Sequence, residues 1–392
     1  MQMSKPKTKL VVLVSHPIQY FAPVYRALAQ CADLDFSVLF STRVGVDSSF
    51  DAGFGRVVQW DIPLLDGYES HFLSQKTHLG GIEWPVIRYL LKARPDVLLL
   101  HGYSHPTNLL ALLIAKLIGT RILMRGDTRP SPHHGKSFWK THFKRLLFRF
   151  IDGCVAIGSP NRKYYELLGM PSDRIYFAPF CIDNAAFDLG DSRSEIRMEQ
   201  RRLLEIEQSA KVVLFVAKLV AQKRLKDLLQ AMEMLMVRYP EAVLLIVGSG
   251  TEESDLRESV ARTGINARFL GFKNQTELPG LYAASDLFVL PAESESWGLV
   301  VNEAMASGLP IIISDDVGAA TDLVEGKDTG LVYPVGDVER LSEALESLLK
   351  SAETLERMGC NAKKLIAEWS ISASAEGIAR AAQSIDGRVA RW

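Results

Sequence analysis

Two carboxylates, Glu295 and Glu303, stand with seven residues between them in the segment Asp286–Pro310, DLFVLPAESESWGLVVNEAMASGLP. The pattern predicts an apolar strand ending at Pro291, a polar loop from Ala292 to Trp297, and a helix that opens at Gly298 and ends at Gly308. Carboxylates accept hydrogen bonds from hydroxyl groups such as those of a ribose or a hexose. The amides at the helix start, around Trp297, Gly298 and Leu299, are left unpaired and carry partial positive charge, which suits phosphate oxygens. Taken alone, the pair fits a solvated loop carboxylate and a surface helix carboxylate better than it fits a site.

Further candidates follow apolar runs nearer the start of the chain. The stretch SHPIQYFAPVYRAL puts His16, Gln19 and Tyr20 just beyond the first run; the alternative is a turn at Pro17 leading into an amphipathic helix. His101 and His105 follow the run Val97–Leu100, where a lone histidine is more often structural than catalytic. The stretch LMRGDTRPS sets Arg125, Asp127 and Arg129 after another run. No HExxH, Asp-rich calcium loop or cysteine cluster is present, so neither a metal site nor a cofactor is expected. Gly135-Lys136-Ser137 ends like a phosphate loop, but Pro130 stands where the first glycine belongs. No nucleic-acid-binding module is recognisable.

The elements that must position these residues are legible as an alternation. Apolar runs at Leu10–Val14, Phe36–Phe40, Val97–Leu100, Arg121–Met124 and Gly153–Ile157 are separated by helix-like segments. A second series runs through Val212–Ala217, Val243–Val247, Ala267–Leu270, Leu287–Leu290 and Ile311–Ile313. Strands of this kind alternating with helices predict an α/β protein with parallel sheets covered on both faces, and two series predict two doubly wound, Rossmann-like domains. The expected division is 1–183, 184–371, and a last helix from 372 to 392 that crosses back to the first domain. Ligands of such domains bind beyond the carboxyl ends of the strands, so a cleft between facing strand ends is expected.

A length of 392 residues with 47% hydrophobic and 23% charged residues fits an ordinary globular protein and excludes a largely disordered one. Four scattered cysteines with no CxxC predict free thiols and a cytoplasmic setting, and no run is long enough to span a membrane. The net charge of −1 hides an asymmetry: residues 1–183 carry 22 Lys and Arg against 14 Asp and Glu, and residues 184–392 carry 23 against 32. The basic first part suits an anionic surface or ligand.

From Val212 to Ser370 the chain resembles the family 4 retaining glycosyltransferases of the GT-B fold. ESWGLVVNEAMASGLPII is similar to that family's signature, and FVAKLVAQKRLKDLLQA to its strand and basic loop. LLIVGSGTEESDLR, RFLGFKNQTELPGLYAASDLFVLP, GLVYPVGDVERLSEAL and the late EWS are similar to its remaining units. The resemblance implies an enzyme that moves a sugar from a nucleotide-sugar donor to an acceptor with retention. It implies that Glu295 contacts the transferred sugar and Glu303 the ribose, that Lys218 and Lys223 bind the donor diphosphate, and that Gly271, Phe272 and Lys273 hold the base through backbone groups. Lys218 stands where the family usually has Arg. Where the family has a histidine near the reacting carbon, this chain offers Arg125 or Asp127, and HPIQY replaces the usual Gly-rich loop. The alternatives are a GT-B sugar-nucleotide epimerase and a non-catalytic nucleotide-sugar-binding protein. The acceptor is expected to be a sugar, a lipid-linked group or a small molecule.

Residues 136–150, KSFWKTHFKRLLFRF, hold five basic residues and no acid, with Phe143, Leu146, Leu147 and Phe150 recurring on one helical face. Such a helix suits peripheral contact with an anionic membrane, on its inner face. The alternative is an apolar face packed on the sheet and a solvated basic face.

Overall fold

The computed structural model describes residues 7–76, 78, 80–130 and 138–387, with residues 138–140 described by backbone alone. In chain order the first strands are β1 (Thr8–Val14), β2 (Leu34–Phe40), β3 (Ser49–Asp51), β4 (Arg56–Val58), β5 (Glu69–Phe72), β6 (Val97–His101), β7 (Arg121–Arg125), β8 (Gly153–Ala156) and β9 (Ile175–Phe177). The rest are β10 (Val212–Val216), β11 (Val243–Val247), β12 (Ala267–Gly271), β13 (Leu287–Leu290), β14 (Ile311–Ser314) and β15 (Gly330–Tyr333).

Two compact units form. The first comprises Met1–Ser49, Ile62–Cys181 and Ser370–Trp392; the second comprises Phe50–Asp61 and Ile182–Trp369. Phe50–Asp61, which the expected division places in the first domain, group with the second unit. The reason is local chemistry. These residues hold no apolar run long enough to join a core, and their polar groups bond to Lys218, Asn274 and Thr276.

The first unit holds a parallel sheet in the order β5-β2-β1-β6-β7-β8-β9. Its central strands are buried on both faces, which is why they read as continuous apolar runs. Helices Pro85–Ala93, Pro106–Leu117, Phe138–Phe148 and Ser159–Leu167 supply residues to the core on one face. The Ala22–Ala29 helix and the late Ile371–Asp386 helix close the other. Gly377 makes that last contact close: a Cβ there would sit 2.2 Å from the Phe177 carbonyl oxygen.

The second unit holds a parallel sheet in the order β12-β11-β10-β13-β14-β15. β10 and β13 are neighbours, and the chain leaves them in opposite directions, to β11 and β14. That reversal opens a crevice at their carboxyl ends. At the amino ends the helix Arg193–Leu203 is locked to the sheet through Arg201, which is fully buried. No described helix is long and apolar enough to cross a membrane.

Candidate active site

The crevice of the second unit gathers several of the predicted residues. Lys218 follows β10, Lys223 closes the short turn Ala221–Lys223, and Glu295 lies in the loop after β13. The Lys223 ammonium forms an ion pair with the Glu295 carboxylate, both largely buried. Burial, and then the nearby Lys218 charge, pull the Lys223 pKa down to about 8. The Glu295 carboxylate opposes that pull and favours the charged form. In Glu295→Gln this support is lost. Affinity for a nucleoside diphosphate is then expected to fall as pH rises through about 8 in wild type, where the ammonium loses its proton, and already at lower pH in the variant. Titration calorimetry from pH 6.5 to 9 checks this, and a flat profile in the variant counts against it.

The loop carrying Glu295 is fixed by its backbone. Ser294 N–H donates to the Asp316 carboxylate at 2.8 Å, Glu295 N–H to the Asp316 carbonyl at 3.1 Å, and Gly318 N–H to the Glu295 carbonyl at 3.0 Å. A Cβ on Gly318 would lie 1.9 Å from the Ser296 carbonyl oxygen, so only glycine fits there. Asp316 thereby pins the loop of the candidate sugar contact. Trp297 is only 2% exposed, donates from Nε1 to Asn302 at 2.9 Å and stacks on Trp369 at 4.9 Å. Its ring is therefore a core anchor, which leaves only its backbone for a donor. Gly298, at φ +91°, turns the chain into the helix Leu299–Ala306.

Glu303, read in isolation as a surface residue, is completely buried. Its carboxylate accepts from the Tyr282 hydroxyl at 2.8 Å and from Gln275 Nε2 at 3.4 Å. The base loop is half-buried. The Gly271 carbonyl already accepts from Gly248 N–H at 2.8 Å, and the Phe272 ring is met by Phe54 at 4.9 Å and by the Arg56 guanidinium at 5.1 Å. Lys218 is bound by Asp51, 167 positions earlier in the chain. Asp51, Gln275, Tyr282 and Asp316 are the site residues that sequence reading missed. Of these, Asp316 carries a positional signal, standing shortly after the apolar run Ile311–Ile313.

The first unit distributes its candidates differently. His16, Gln19 and Tyr20 are half-buried in the loop after β1, with His16 Nδ1 2.9 Å from the Ser15 hydroxyl. His101 ends β6 opposite Arg125 in register, with its ring edge-on to Phe21 at 4.7 Å. Burial, and then Arg125, hold its pKa at about 3, so it is neutral at physiological pH and carries no imidazolium proton to give as a general acid. His105 caps the Pro106–Leu117 helix, its Nδ1 accepting from Thr107 N–H at 3.3 Å, which is a structural task. Arg125, the candidate reacting group after β7, is 3% exposed and donates to Ser374 of the Ile371–Asp386 helix at 3.4 and 3.5 Å. Asp127 is exposed in the loop after β7.

Residues 196–365 match the family described as glycosyl transferases group 1. The sulfoquinovosyl transferase SQD2 of Arabidopsis thaliana is 36% identical over 291 residues, covering 71% of this chain and 54% of that protein. The D-inositol 3-phosphate glycosyltransferase of Nocardia farcinica is 33% identical over 226 residues, covering 55% of this chain and 49% of that protein. The chain thus spans about half the length of the curated relatives it matches. Among solved structures, Anabaena Alr3699/HepE in complex with UDP aligns with a TM-score of 0.75 at 18% identity, covering 96% of this chain and 100% of that one. WaaG, a glycosyltransferase involved in lipopolysaccharide biosynthesis, aligns at 0.64 and 17% identity, covering 96% and 99%. Over residues 196–365 the chain is similar to group 1 glycosyl transferases, and its fold is that of the GT-B enzymes.

Proposed function

We propose that the protein is a glycosyltransferase that takes a sugar from a nucleotide-sugar donor bound in the second unit, with retention of configuration. The observation that supports the reading is the placement of Lys218 and the Lys223–Glu295 pair just after β10 and β13, and of the buried Glu303 in the helix that follows β13, inside the segment that matches the family. Breaking the glycosidic bond puts negative charge on the leaving nucleoside diphosphate. Fixed cations and a helix N-terminus lower the barrier most when they face that charge as it grows. In this reading Lys218, Lys223 and the amides before Leu299 have that role. Glu303 receives a ribose hydroxyl, and Tyr282 holds its carboxylate in place. Glu295 faces the transferred sugar. Phe272 and Lys273 offer backbone groups to the base, and Asp127 is the acidic candidate on the acceptor side. The relatives named above are transferases, which weighs against an epimerase or a binding protein.

The test is a panel of UDP-, GDP- and ADP-sugars read by thermal shift, followed by release of nucleoside diphosphate with and without candidate acceptors. Release that rises with an acceptor supports transfer; interconversion of free donor epimers overturns it. Lys223→Met is expected to weaken nucleoside diphosphate binding roughly 10-fold or more, since a charge-assisted hydrogen bond contributes about 1.5–3 kcal/mol.

An anionic membrane is proposed as the surface from which the acceptor is reached. Lys136 lies outside the described residues, and so do the side chains of Phe138, Trp139 and Lys140. In the described helix and the turn after it, Leu147 and Phe148 pack into the core, but Phe143, Leu146 and Phe150 are 61%, 47% and 51% exposed beside Arg145 and Arg149. Lys144 instead bonds the Tyr164 hydroxyl at 3.1 Å. Exposed apolar side chains mixed with cations suit a lipid interface, and each basic residue near an anionic leaflet adds about 1 kcal/mol. Arg145→Glu/Arg149→Glu is expected to abolish co-sedimentation with phosphatidylglycerol vesicles at low salt. A wild type that ignores those vesicles sinks the proposal.

A further inference from the structure

Phe50–Asp61 belong to the second unit although the chain on either side belongs to the first. β3 and β4 pair into a small ribbon, and that ribbon reaches both the diphosphate lysine and the base loop of the proposed donor site. Asp51 binds the Lys218 ammonium through both carboxylate oxygens, at 2.8 and 2.9 Å. The same carboxylate accepts from Gly53 N–H at 2.8 Å and Phe54 N–H at 3.0 Å. The Phe54 ring lies 4.5 Å from that ammonium, and the Phe54 carbonyl accepts from Ser249 Oγ at 2.9 Å. Further along, the Gln59 carbonyl accepts from Asn274 Nδ2 at 2.7 Å, and the Asp61 carboxylate accepts from the Thr276 hydroxyl.

Asp51 is thus an anion supplied by the chain itself at a cation assigned to the donor diphosphate. Burial raises its pKa, but the hydrogen bonds and charge of Lys218 and the two amides outweigh this and hold it below the usual carboxylate range. It stays charged at neutral pH. A carboxylate and a diphosphate crowded on one ammonium repel each other, so each weakens the other there.

We propose that the 50–61 ribbon is a strap over the proposed donor site, in which Asp51 occupies Lys218 and a nucleoside diphosphate binds by displacing it. This rests on the reading of Lys218 as a diphosphate ligand. The strap would set a threshold: a ligand must offer Lys218 more than Asp51 does, which disfavours weak anions such as orthophosphate.

The experiment is calorimetric titration of the full chain with UDP, GDP, ADP and inorganic pyrophosphate. Asp51→Asn is expected to bind at least one of them about 3- to 10-fold more tightly than wild type, the size fitting a partly exposed ion pair. Gly53→Ala is expected to act in the same direction, because its Cβ would meet Lys218 Cδ and Nζ at 2.8 Å and push the lysine off Asp51. It serves as the second variant should Asp51→Asn fold poorly. Unchanged or weaker binding in both variants overturns the strap. Lys218→Met separates the two readings. If it weakens binding while Asp51→Asn does nothing, the strap alone fails. If Lys218→Met has no effect, the diphosphate assignment fails and the strap with it. Equal tightening by Asp51→Asn with Lys218 or Met at 218 means a general change of field, and also overturns the inference. Silence of all four probes with every variant overturns both.

Discussion

Glu303→Ala is expected to cost the protein most of its donor affinity. The carboxylate is fully buried, and the Tyr282 hydroxyl donates to it at 2.8 Å. Two losses follow. A ribose hydroxyl loses a charged acceptor, which is about 1.5–3 kcal/mol, or roughly 10- to 100-fold in affinity. The buried Tyr282 hydroxyl loses its 2.8 Å acceptor and keeps the Val300 carbonyl at 3.4 Å, which costs about 1 kcal/mol of stability. Glu303→Gln separates the two, because the amide oxygen still accepts from Tyr282 while the negative charge is gone. Its melting temperature is expected to stay near wild type while nucleoside diphosphate affinity falls about 10-fold. Calorimetry and thermal unfolding on both variants check this. If Glu303→Gln binds as wild type does, the ribose assignment is wrong.

Arg201→Met is expected to be the most destabilising single change argued here. Arg201 is fully buried and donates to the carbonyls of Ala284 at 2.9 Å, Gln208 at 2.7 Å and Ala210 at 3.0 Å, and to Asp286 at 2.9 Å. Asp286 also accepts from Arg197 at 2.6 Å and from the amide that starts β10, Val212 N–H, at 2.8 Å. Removing one partner of a buried charged network typically costs about 3–5 kcal/mol, because the others stay buried and unpaired. For a unit of this size that corresponds to roughly 6–20 °C in melting temperature. The network sits at the amino ends of β10 and β13, and the candidate site at their carboxyl ends. Nucleoside diphosphate affinity at 15 °C is therefore expected to stay within about 2-fold of wild type. A melting temperature within a degree of wild type would falsify the account of Arg201.

The contrast between those two residues shows what the sequence made readable. Strands buried on both faces show as apolar runs, and β11 and β13 begin and end where their runs do. The β5 strand, ESHF, lies at a sheet edge and is too polar to stand out. β3 and β4 are too short to carry a period. The Asp51–Lys218 pair joins residues 167 positions apart, and no local pattern reports such a contact. Glu303 was legible by another route. Its helix, LVVNEAMA, is apolar nearly all round, which is the mark of a buried helix rather than a surface one. A lone carboxylate in such a setting needs a partner or a ligand.

The late Ile371–Asp386 helix gives Ala375, Ile378, Ala379, Ala381 and Ala382 to the same core as Leu10, Val12, Val38 and Leu99. On the ribosome those strands emerge early, but the helix that covers them is made only after the whole stretch Ile182–Trp369. At about 5–20 residues per second, the wait lasts on the order of 10–40 s. Throughout it, one face of the first sheet is covered by the Ala22–Ala29 helix alone, while the second unit is already able to fold. A nascent chain stopped before Ile371 would keep that face partly uncovered, a natural target for chaperones and a source of aggregation. The first unit to be synthesised is thus the last to be finished.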